Sequence, residues 1–356
     1  MPGGQAVGRG VYNGSMRKRI LILHTGGTLG MKPRDPDRAL APDEIGATLL
    51  HYVPELEEFA EITTRVLFNI DSTDITPAHW TKLAEEIALA VESYNGVVIA
   101  HGTDAMAYTG SALSYLLRNV PCPVILTGSQ LPLADARSDA PGNLIGAVDL
   151  ATHEIQEVVI YFHNLLLRAN RVTKTSTFAY GAFKSPNFLP LAEVGTSIQP
   201  YSRTLRSDGP FTVEGDFDPR VAVLRLSPGQ PADALASLKD TDTRAVLLEA
   251  FGSGNIPVER TGIADAIRML TAAGKLVAIG SQSPNGRVNL DRYSGGRLAR
   301  DAGAIGIGDM TLEAATVKLM YLFGTLGSVE EVRKAMPVPI AGELSTPHSR
   351  TSPFRP

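Results

Sequence analysis

The sequence predicts an α/β protein of two domains: a larger N-terminal domain built on a mostly parallel sheet and a smaller C-terminal α/β domain. With 356 residues, the chain is long enough to form two hydrophobic cores. Short, continuous apolar runs alternate with segments of helical periodicity, which is the pattern of parallel strands joined by helices. A stretch rich in proline and glycine, residues 185–219, interrupts this pattern. We therefore place the domains at residues 17–195 and 220–346, with a linker at residues 196–219.

The composition is that of an ordinary globular protein, with 44% hydrophobic residues, 20% charged residues and a net charge of −4. No basic patch indicates a nucleic-acid partner, and no polybasic or long apolar segment indicates a membrane partner. The single cysteine, Cys122, cannot form an internal disulfide and is interpreted as a small buried residue. Residues 1–16 lack the apolar core of a signal peptide. We expect a cytoplasmic protein with a disordered extension at residues 1–16 and a frayed tail at residues 347–356.

The first apolar run ends at a hydroxyl residue. Residues 20–23 lead through His24 into Thr25-Gly26-Gly27-Thr28, where two glycines let the backbone turn sharply. In open α/β sheets, ligands lie beyond the carboxyl ends of the strands. Thr28 therefore stands where such a protein would hold a nucleophile. The proline-rich, charged residues 31–42 are predicted to form a loop rather than a regular element, and their position favours a lid over a plain surface excursion.

A second strand, near residues 62–69, ends in Asp71, Ser72 and Thr73. Such a cluster of hydroxyls and carboxylates either binds a ligand or caps the next helix. The pair Thr76-Pro77 already supplies the N-cap and the first residue of that helix. The three residues before it are thus left for another role.

A third strand, residues 96–100, ends in the turn His101-Gly102-Thr103-Asp104, which mirrors the turn at Thr28. Thr103 or Asp104 can cap the helix predicted near residues 105–118. His101 could act as a general base, but the favoured interpretation is a packed structural residue.

A fourth strand, residues 123–126, ends in the same manner at Ser129. The carboxyl ends of parallel strands meet at one edge of a sheet. We therefore expect Thr28, Ser72, the Thr103-Asp104 pair and Ser129 to converge on one crevice.

A polar segment, residues 168–176, follows a fifth strand at residues 158–164. Its only apolar residues are Ala169 and Val172, so it is predicted not to be a core element. Lys174 within this segment is either a solvated side chain or a site cation, and the residues alone favour the solvated side chain.

The second half of the chain repeats the α/β pattern. Strands are predicted at residues 220–226, 245–250, 276–280 and 304–307, and helices at residues 231–239, 258–273, 310–323 and 328–335. One of these strands ends in a glycine-rich polar tip that contains Asn255.

Together these residues supply the parts of a threonine-based acyl-transfer site. A threonine hydroxyl is a poor nucleophile at neutral pH and needs a base nearby. A lysine kept neutral by burial, a carboxylate and a second hydroxyl can provide one, and Lys174, Asp104 and Thr103 are available. Backbone N–H groups of the glycine turns can stabilise the oxyanion. The sequence holds no Gly-x-Ser-x-Gly elbow, dinucleotide fingerprint, Walker loop or metal-ligand spacing.

The chain resembles the bacterial-type L-asparaginases, and most closely the cytoplasmic type I enzymes. The resemblance covers residues 17–346 and is specific because several short motifs occur in the correct order. These are the turns Thr25-Gly26-Gly27-Thr28 and His101-Gly102-Thr103-Asp104, together with Asp71-Ser72-Thr73-Asp74, Leu126-Thr127-Gly128-Ser129-Gln130-Leu131-Pro132, Arg171-Val172-Thr173-Lys174, Gly252-Ser253-Gly254-Asn255 and Gly342-Glu343-Leu344.

The resemblance implies the two-domain asparaginase-like fold and hydrolysis of L-asparagine to L-aspartate and ammonia, without a metal or cofactor. Thr28 would be the nucleophile that forms a β-aspartyl ester, with Thr103, Asp104 and Lys174 as the second catalytic group. The α-carboxylate and α-amino groups of the substrate would be held by the residues of the second strand end, with Asp104 sharing the amine: Asp71, Ser72 and Thr73, beside Gly102. Asn255 would reach the site from a neighbouring subunit of a homodimer or homotetramer.

Two departures from the family pattern qualify this expectation. The family carries a tyrosine on the loop after the first threonine turn, whereas this chain has none between Leu29 and Pro42, and Leu40 falls near the expected place. Ser281 stands where an allosteric type I enzyme carries cysteine, which argues against cooperative control by asparagine.

Two alternative functions remain open. One is the asparaginase-like component of a tRNA-dependent amidotransferase, which usually carries an additional N-terminal domain that we do not expect here. The other is an amino-acid-binding protein with impaired catalysis, which the missing loop tyrosine motivates and the retained Thr28, Thr103, Asp104 and Lys174 oppose.

Overall fold

A computed structural model of the chain describes residues 17–27, 49–259 and 262–345 in full, and the backbone of residues 31–32 and 35–39. The strands of this part of the chain are β1 (Arg19–Gly26), β2 (Met31–Lys32), β3 (Asp35–Ala39), β4 (Glu61–Ile70), β5 (Gly96–Ala100), β6 (Leu117–Arg118), β7 (Val124–Thr127), β8 (Val158–Phe162), β9 (Leu165–Arg168), β10 (Thr173–Lys174), β11 (Phe183–Lys184), β12 (Ala192–Val194), β13 (Ile198–Pro200), β14 (Thr212–Val213), β15 (Val221–Arg225), β16 (Ala245–Ala250), β17 (Leu276–Ser281) and β18 (Ile305–Gly306).

The α-helices of the same residues cover the faces of two sheets. They are α1 (Leu56–Phe59), α2 (Pro77–Ala90), α3 (Met106–Leu116), α4 (Ala140–Ala151), α5 (Asp233–Ala236), α6 (Ile263–Ala272), α7 (Ser294–Asp301), α8 (Leu312–Thr325) and α9 (Val329–Ala335). Among these described helices, none is long and apolar enough to cross a bilayer.

The N-terminal domain is built on an eight-stranded sheet in the order β13-β12-β9-β8-β7-β5-β1-β4. Five neighbouring strands of this sheet pair in parallel, in the spatial order β4-β1-β5-β7-β8. Beyond β8, the strands β9, β12 and β13 continue the sheet as antiparallel pairs. In β1, Leu21 and Leu23 belong to a core cluster on one face of the sheet, whereas Ile20 and Ile22 belong to the cluster on the other. Burial on both faces explains why β1 is a continuous apolar run.

The C-terminal domain carries a smaller, fully parallel sheet in the order β15-β16-β17-β18. One hydrophobic cluster continues from the N-terminal domain into this domain, and the Tyr115 hydroxyl donates to the Ala314 carbonyl across 3.0 Å. The predicted α/β class with a larger, mostly parallel N-terminal sheet is confirmed. The four strands predicted for the second half are present within one or two residues.

Two short segments differ from the prediction. The chain after the first turn was expected to be a loop, but Met31 pairs with Ala39 and Lys32 with Asp35 in a two-stranded antiparallel hairpin. Such a hairpin needs only local backbone pairing, and a proline is tolerated on an edge strand. Within the stretch predicted to be a linker, β13 extends the large sheet and β14 pairs with β6.

Candidate active site

The carboxyl ends of β4, β1, β5 and β7 meet at one edge of the large sheet. The strand β1 lies between β4 and β5, and His24 is in register with Ala100. Gly27 has a φ of +86°, and a Cβ atom there would overlap the backbone of Gly102. A Cβ atom on Gly102 would lie 2.6 Å from the Oγ of Ser72. The glycines therefore allow three strand ends to approach one another more closely than any side chain would permit.

The second strand end forms a 3₁₀ turn at Ser72–Asp74. One oxygen of the Asp71 carboxylate accepts hydrogen bonds from the backbone N–H and the hydroxyl of Thr73, both at 2.8 Å. These bonds lower the pKa of Asp71, so its carboxylate is ionised at neutral pH. Thr76 is the N-cap of α2 and Pro77 its first residue, as predicted. The buried Ser72 hydroxyl accepts from the N–H of Ala105 at 3.4 Å.

Lys174 joins the third strand end. Its Nζ donates to the Oγ1 of Thr103 and to a carboxylate oxygen of Asp104, each at 2.7 Å. The lysine side chain is 17% exposed and that of Asp104 is 59% exposed. The preference for a solvated lysine was therefore wrong. The capping prediction was wrong as well, because the N-cap of α3 is Ala105, which makes no side-chain cap bond.

The segment that carries Lys174 is buried, contrary to the prediction. Ala169, Asn170, Arg171 and Val172 are all at most 2% exposed. The guanidinium of Arg171 donates to the Gly342 carbonyl at 2.7 Å and to Asp309 at 3.2 Å, which compensates its burial. Polar residues can therefore form a core element when every donor finds an acceptor, and the sequence pattern alone does not show those distant acceptors.

A short hairpin then holds the lysine in place. Strand β10, which contains Lys174, pairs antiparallel with β11. The hydroxyl of Thr173 donates to the Glu313 carboxylate at 2.6 Å. Burial raises the pKa of Glu313, and the bond from Thr173 opposes that shift. A helix of the C-terminal domain thus fixes the residue next to Lys174.

Two buried histidines lie directly behind the turns. His101 contacts Thr109 and Gly102 through its two ring nitrogens, which agrees with the favoured structural role. His24, in β1, has no hydrogen-bond partner for either ring nitrogen among the described residues. Burial lowers the pKa of each ring to about 4, and in His24 repulsion from His101 adds to the effect. Both rings are neutral at pH 7.

Other predicted site residues stand apart or lie outside the described residues. Ser129 is buried, and its hydroxyl donates locally to the Leu131 carbonyl. Asn255 closes a tight turn with Phe251 in the C-terminal domain, and no bond among the described residues joins it to Lys174. Thr28 and Leu40 lie outside the described residues, as do residues 33–34 and 41–42 of the predicted lid.

The sequence interpretation missed the residues that support the site from a distance. Glu313, Asp309 and Trp80 contact the site-bearing segments but lie far away in sequence. One signal was available for Glu313, since it is the single carboxylate of α8 and lies in the first turn of that helix. Cys122 is buried, as expected, and burial raises the pKa of its thiol to about 11. Within the described residues there is no group of three or more side chains that could hold a metal ion.

Comparison with known proteins shows the family of this chain. Residues 19–206 match the family model "Asparaginase, N-terminal", and residues 220–336 match "Glutaminase/Asparaginase C-terminal domain". The L-asparaginase of Thermococcus kodakarensis is 36% identical over 92% of this chain and 99% of its own, and its structure superposes with a TM-score of 0.85. The probable cytoplasmic L-asparaginase of Campylobacter jejuni is 27% identical with a TM-score of 0.75, covering 90% of this chain and 99% of its own.

Two further relatives carry different names. L-asparaginase 1 of Escherichia coli is 36% identical over 92% of this chain and 98% of its own. A glutamyl-tRNA(Gln) amidotransferase component of Pyrococcus abyssi is 37% identical over 93% of this chain and 77% of its own. The expected resemblance to type I enzymes and the expected two-domain fold are confirmed, and the chain belongs to the asparaginase family.

Proposed function

We propose that this protein is an amidohydrolase that converts L-asparagine to L-aspartate and ammonia. The observation that carries the proposal is the bonding of Lys174 to both Thr103 and Asp104, beside the contact between Gly27 and Gly102. The chain continues directly from Gly27 into Thr28. Membership of the asparaginase family and the relatives named L-asparaginase support the same assignment.

In the proposed reaction, the Thr28 hydroxyl attacks the side-chain amide carbon of the substrate. The new C–O bond gives a tetrahedral intermediate, which donors in the glycine turns stabilise. The proton that the Thr28 hydroxyl gives up is passed to the amide nitrogen, which allows the C–N bond to break and ammonia to leave. Water then attacks the β-aspartyl ester, the ester C–O bond breaks, and the Thr28 hydroxyl is restored.

Thr103, Asp104 and Lys174 handle the protons of these steps. Because Lys174 donates to the oxygen of Thr103, the hydrogen of that threonine hydroxyl is free to bond a water or the substrate. No metal or cofactor takes part.

The substrate is held at the second strand end. The ionised Asp71 carboxylate, which is largely exposed, binds the α-amino group, and Asp104 shares it. Ser72, Thr73 and Gly102 surround the α-carboxylate. Asn255 reaches the site from a neighbouring subunit, so the active form is a homodimer or homotetramer. We place the protein in the cytoplasm, as the name of the Campylobacter jejuni relative suggests.

The test is ammonia release from L-asparagine, L-glutamine and D-asparagine. We expect release from L-asparagine, and a loss on the order of a hundredfold or more in kcat for Thr28→Ala and Lys174→Met. Lys184→Met is the matched control, because this exposed lysine lies on β11 of the same hairpin. Wild-type release no faster than that of Thr28→Ala, with asparagine still bound, would favour the impaired binding protein instead.

A second candidate function follows from the amidotransferase relative of Pyrococcus abyssi, which is as similar as the L-asparaginases. A protein of that kind would supply ammonia to a partner that modifies aminoacyl-tRNA. Ammonia release from L-asparagine by the purified chain alone favours the hydrolase. Release that requires a partner protein and glutamyl-tRNA favours the second candidate.

A further inference from the structure

A chain of hydrogen bonds runs from the interior of the N-terminal domain to the Gly102–Thr103 turn. The indole Nε1 of Trp80 lies 3.1 Å from the hydroxyl oxygen of Thr109. That oxygen lies 2.9 Å from Nε2 of His101. The other ring nitrogen of His101, Nδ1, lies 2.6 Å from the carbonyl oxygen of Gly102. All three side chains are buried.

The direction of every bond in this chain is fixed by its chemistry. A carbonyl oxygen only accepts, so Nδ1 of His101 carries a hydrogen and donates to Gly102. The ring is neutral at pH 7, so Nε2 has no hydrogen and accepts from the hydroxyl of Thr109. An indole N–H only donates, so Trp80 donates to the oxygen of Thr109, and the hydrogen of that hydroxyl points at the bare Nε2 of His101. One tautomer of His101 satisfies all three bonds.

The last bond of the chain orients a peptide of the site. A peptide unit is planar, and its C=O and N–H groups point in opposite directions. Holding the Gly102 carbonyl toward His101 therefore turns the N–H of Thr103 away from it. Gly102 also has little space around its Cα atom, since a Cβ atom there would lie 2.6 Å from the Oγ of Ser72 and 3.4 Å from the Cα of Gly27.

We propose that His101, held in its Nδ1–H tautomer by Thr109 and Trp80, is a positioning residue that fixes the Gly102–Thr103 peptide. It thereby sets the Thr103 hydroxyl at its hydrogen-bond distance from Lys174. This role rests on the proposed amide hydrolysis. It differs from general-base catalysis, because both ring nitrogens are already engaged within the protein.

The decisive variant is Thr109→Val, which removes the hydroxyl and keeps the branched shape. Without that hydroxyl, Nε2 of His101 loses its donor and only the Gly102 carbonyl still favours the tautomer, so we expect kcat to fall by about tenfold to a hundredfold, with a change in KM of less than about threefold. Thr109→Ser restores the hydroxyl and should return kcat to near the wild-type value. Ser111→Ala is the matched control, because it removes a buried hydroxyl of the same helix that donates only to the Ala107 carbonyl.

The tautomer is measured independently of activity by ¹⁵N chemical shifts of labelled histidine, with His101→Asn used to assign the signal. We expect a protonated Nδ1 and a bare Nε2 in the wild-type protein at pH 7, and a smaller population of this tautomer in Thr109→Val, where only the Gly102 carbonyl still favours it. A protonated Nε2 in the wild type, or equal kcat for Thr109→Val and Ser111→Ala, overturns the proposal. If the wild type hydrolyses no amide, the proposed function fails. The tautomer measurement then still decides whether the chain of hydrogen bonds from Trp80 to Gly102 exists.

Discussion

Two buried histidines, His24 and His101, lie beneath the turns that carry the proposed catalytic residues. Burial opposes their positive form, and the pKa of each is lowered from 6.5 to about 4. In the unfolded chain, both rings take up a proton as the pH falls below about 6.5. The folded protein does not, so protonation favours the unfolded chain throughout the interval from pH 6.5 to pH 4.

We therefore predict that the free energy of unfolding falls as the pH is lowered from 6.5 to 4. Each histidine contributes a slope of about 1.4 kcal/mol per pH unit when the unfolded state holds one more proton than the folded state. His24→Leu removes one of the two contributions, and it sacrifices no hydrogen bond formed within the described residues. Urea unfolding at several pH values measures the slope, which should be smaller than that of the wild type by about 1.4 kcal/mol per pH unit.

His153→Gln is the matched control, since this histidine is 49% exposed, and its slope should equal that of the wild type. An unchanged slope in His24→Leu would contradict the prediction.

At the scale of single residues, the sequence predicted which residues lie at the strand ends better than it predicted their burial and their hydrogen-bond partners. His101 was correctly interpreted as structural, and Asp71, Ser72 and Gly102 were placed at converging strand ends. Lys174 was wrongly expected in solvent, because its partners Thr103 and Asp104 are about seventy positions away in the chain. Only the folded structure shows that these three side chains lie within hydrogen-bond distance of one another.

At the scale of elements, glycines decide how closely the strand ends approach. Gly27 combines a φ of +86° with direct backbone contact against Gly102, so it has neither the conformation nor the space for a side chain. Gly27 directly precedes Thr28 in the chain. A displacement of the backbone at Gly27 would therefore also displace the proposed nucleophile. We therefore expect the close approach of Gly27 and Gly102 to matter for activity as well as for stability.

We predict that Gly27→Ala lowers the free energy of unfolding by more than about 2 kcal/mol and removes most activity, since strain and backbone overlap add together. Gly142→Ala is the matched control. This exposed glycine lies in α4, and a Cβ atom there meets nothing within 4 Å. It should be neutral or stabilising by up to about 1 kcal/mol. Thermal unfolding and ammonia release measure both effects, and equal behaviour of the two variants would refute the argument.

The sequence predicted regular elements well where hydrophobic periodicity was strong, as in β16 and α8. The prediction from sequence failed where an element is held only by backbone pairing between strands, or by hydrogen bonds to residues far away in the chain. The hairpin of β2 and β3 has no apolar pattern, and the segment around Arg171 is polar yet buried. In both cases, the stabilising contacts are absent from any local window of sequence.

At the scale of the whole molecule, the end of the C-terminal domain folds back on the N-terminal domain. We call residues 337–345 the C-terminal strap. Its carbonyl groups at Ile340, Ala341 and Gly342 accept hydrogen bonds from Arg118, Asn170 and Arg171 respectively, at 2.7–2.9 Å. Arg171 lies three residues before Lys174. The strap therefore couples the packing of the two domains to the position of the proposed catalytic lysine.

One buried ion pair holds the strap in shape. Lys318 of α8 and Glu343 of the strap are both 0% exposed and lie 2.6 Å apart. The ammonium group also donates to the carbonyls of Met336 and Val338, and the carboxylate accepts from two backbone N–H groups of the strap. Every donor of Lys318 is thus satisfied. Burial lowers the pKa of this lysine, and the charge of Glu343 opposes that shift.

Removing one partner of this pair leaves the other charge buried without compensation. We predict that Lys318→Met lowers the free energy of unfolding by about 3–5 kcal/mol and also reduces kcat, because the strap no longer fixes Arg171. The double variant Lys318→Met with Glu343→Gln should recover part of the stability, since no charge then remains buried.

The exposed pair of Lys334 and Glu330 is the matched control, and Lys334→Met should cost less than about 1 kcal/mol with unchanged kcat. Urea unfolding and ammonia release at a temperature where all variants are folded distinguish the cases. If the losses in free energy of unfolding of the two single variants simply add in the double variant, the two charges do not stabilise each other, and this prediction is wrong. A normal kcat in a destabilised Lys318→Met would show that the strap stabilises the fold without positioning the site.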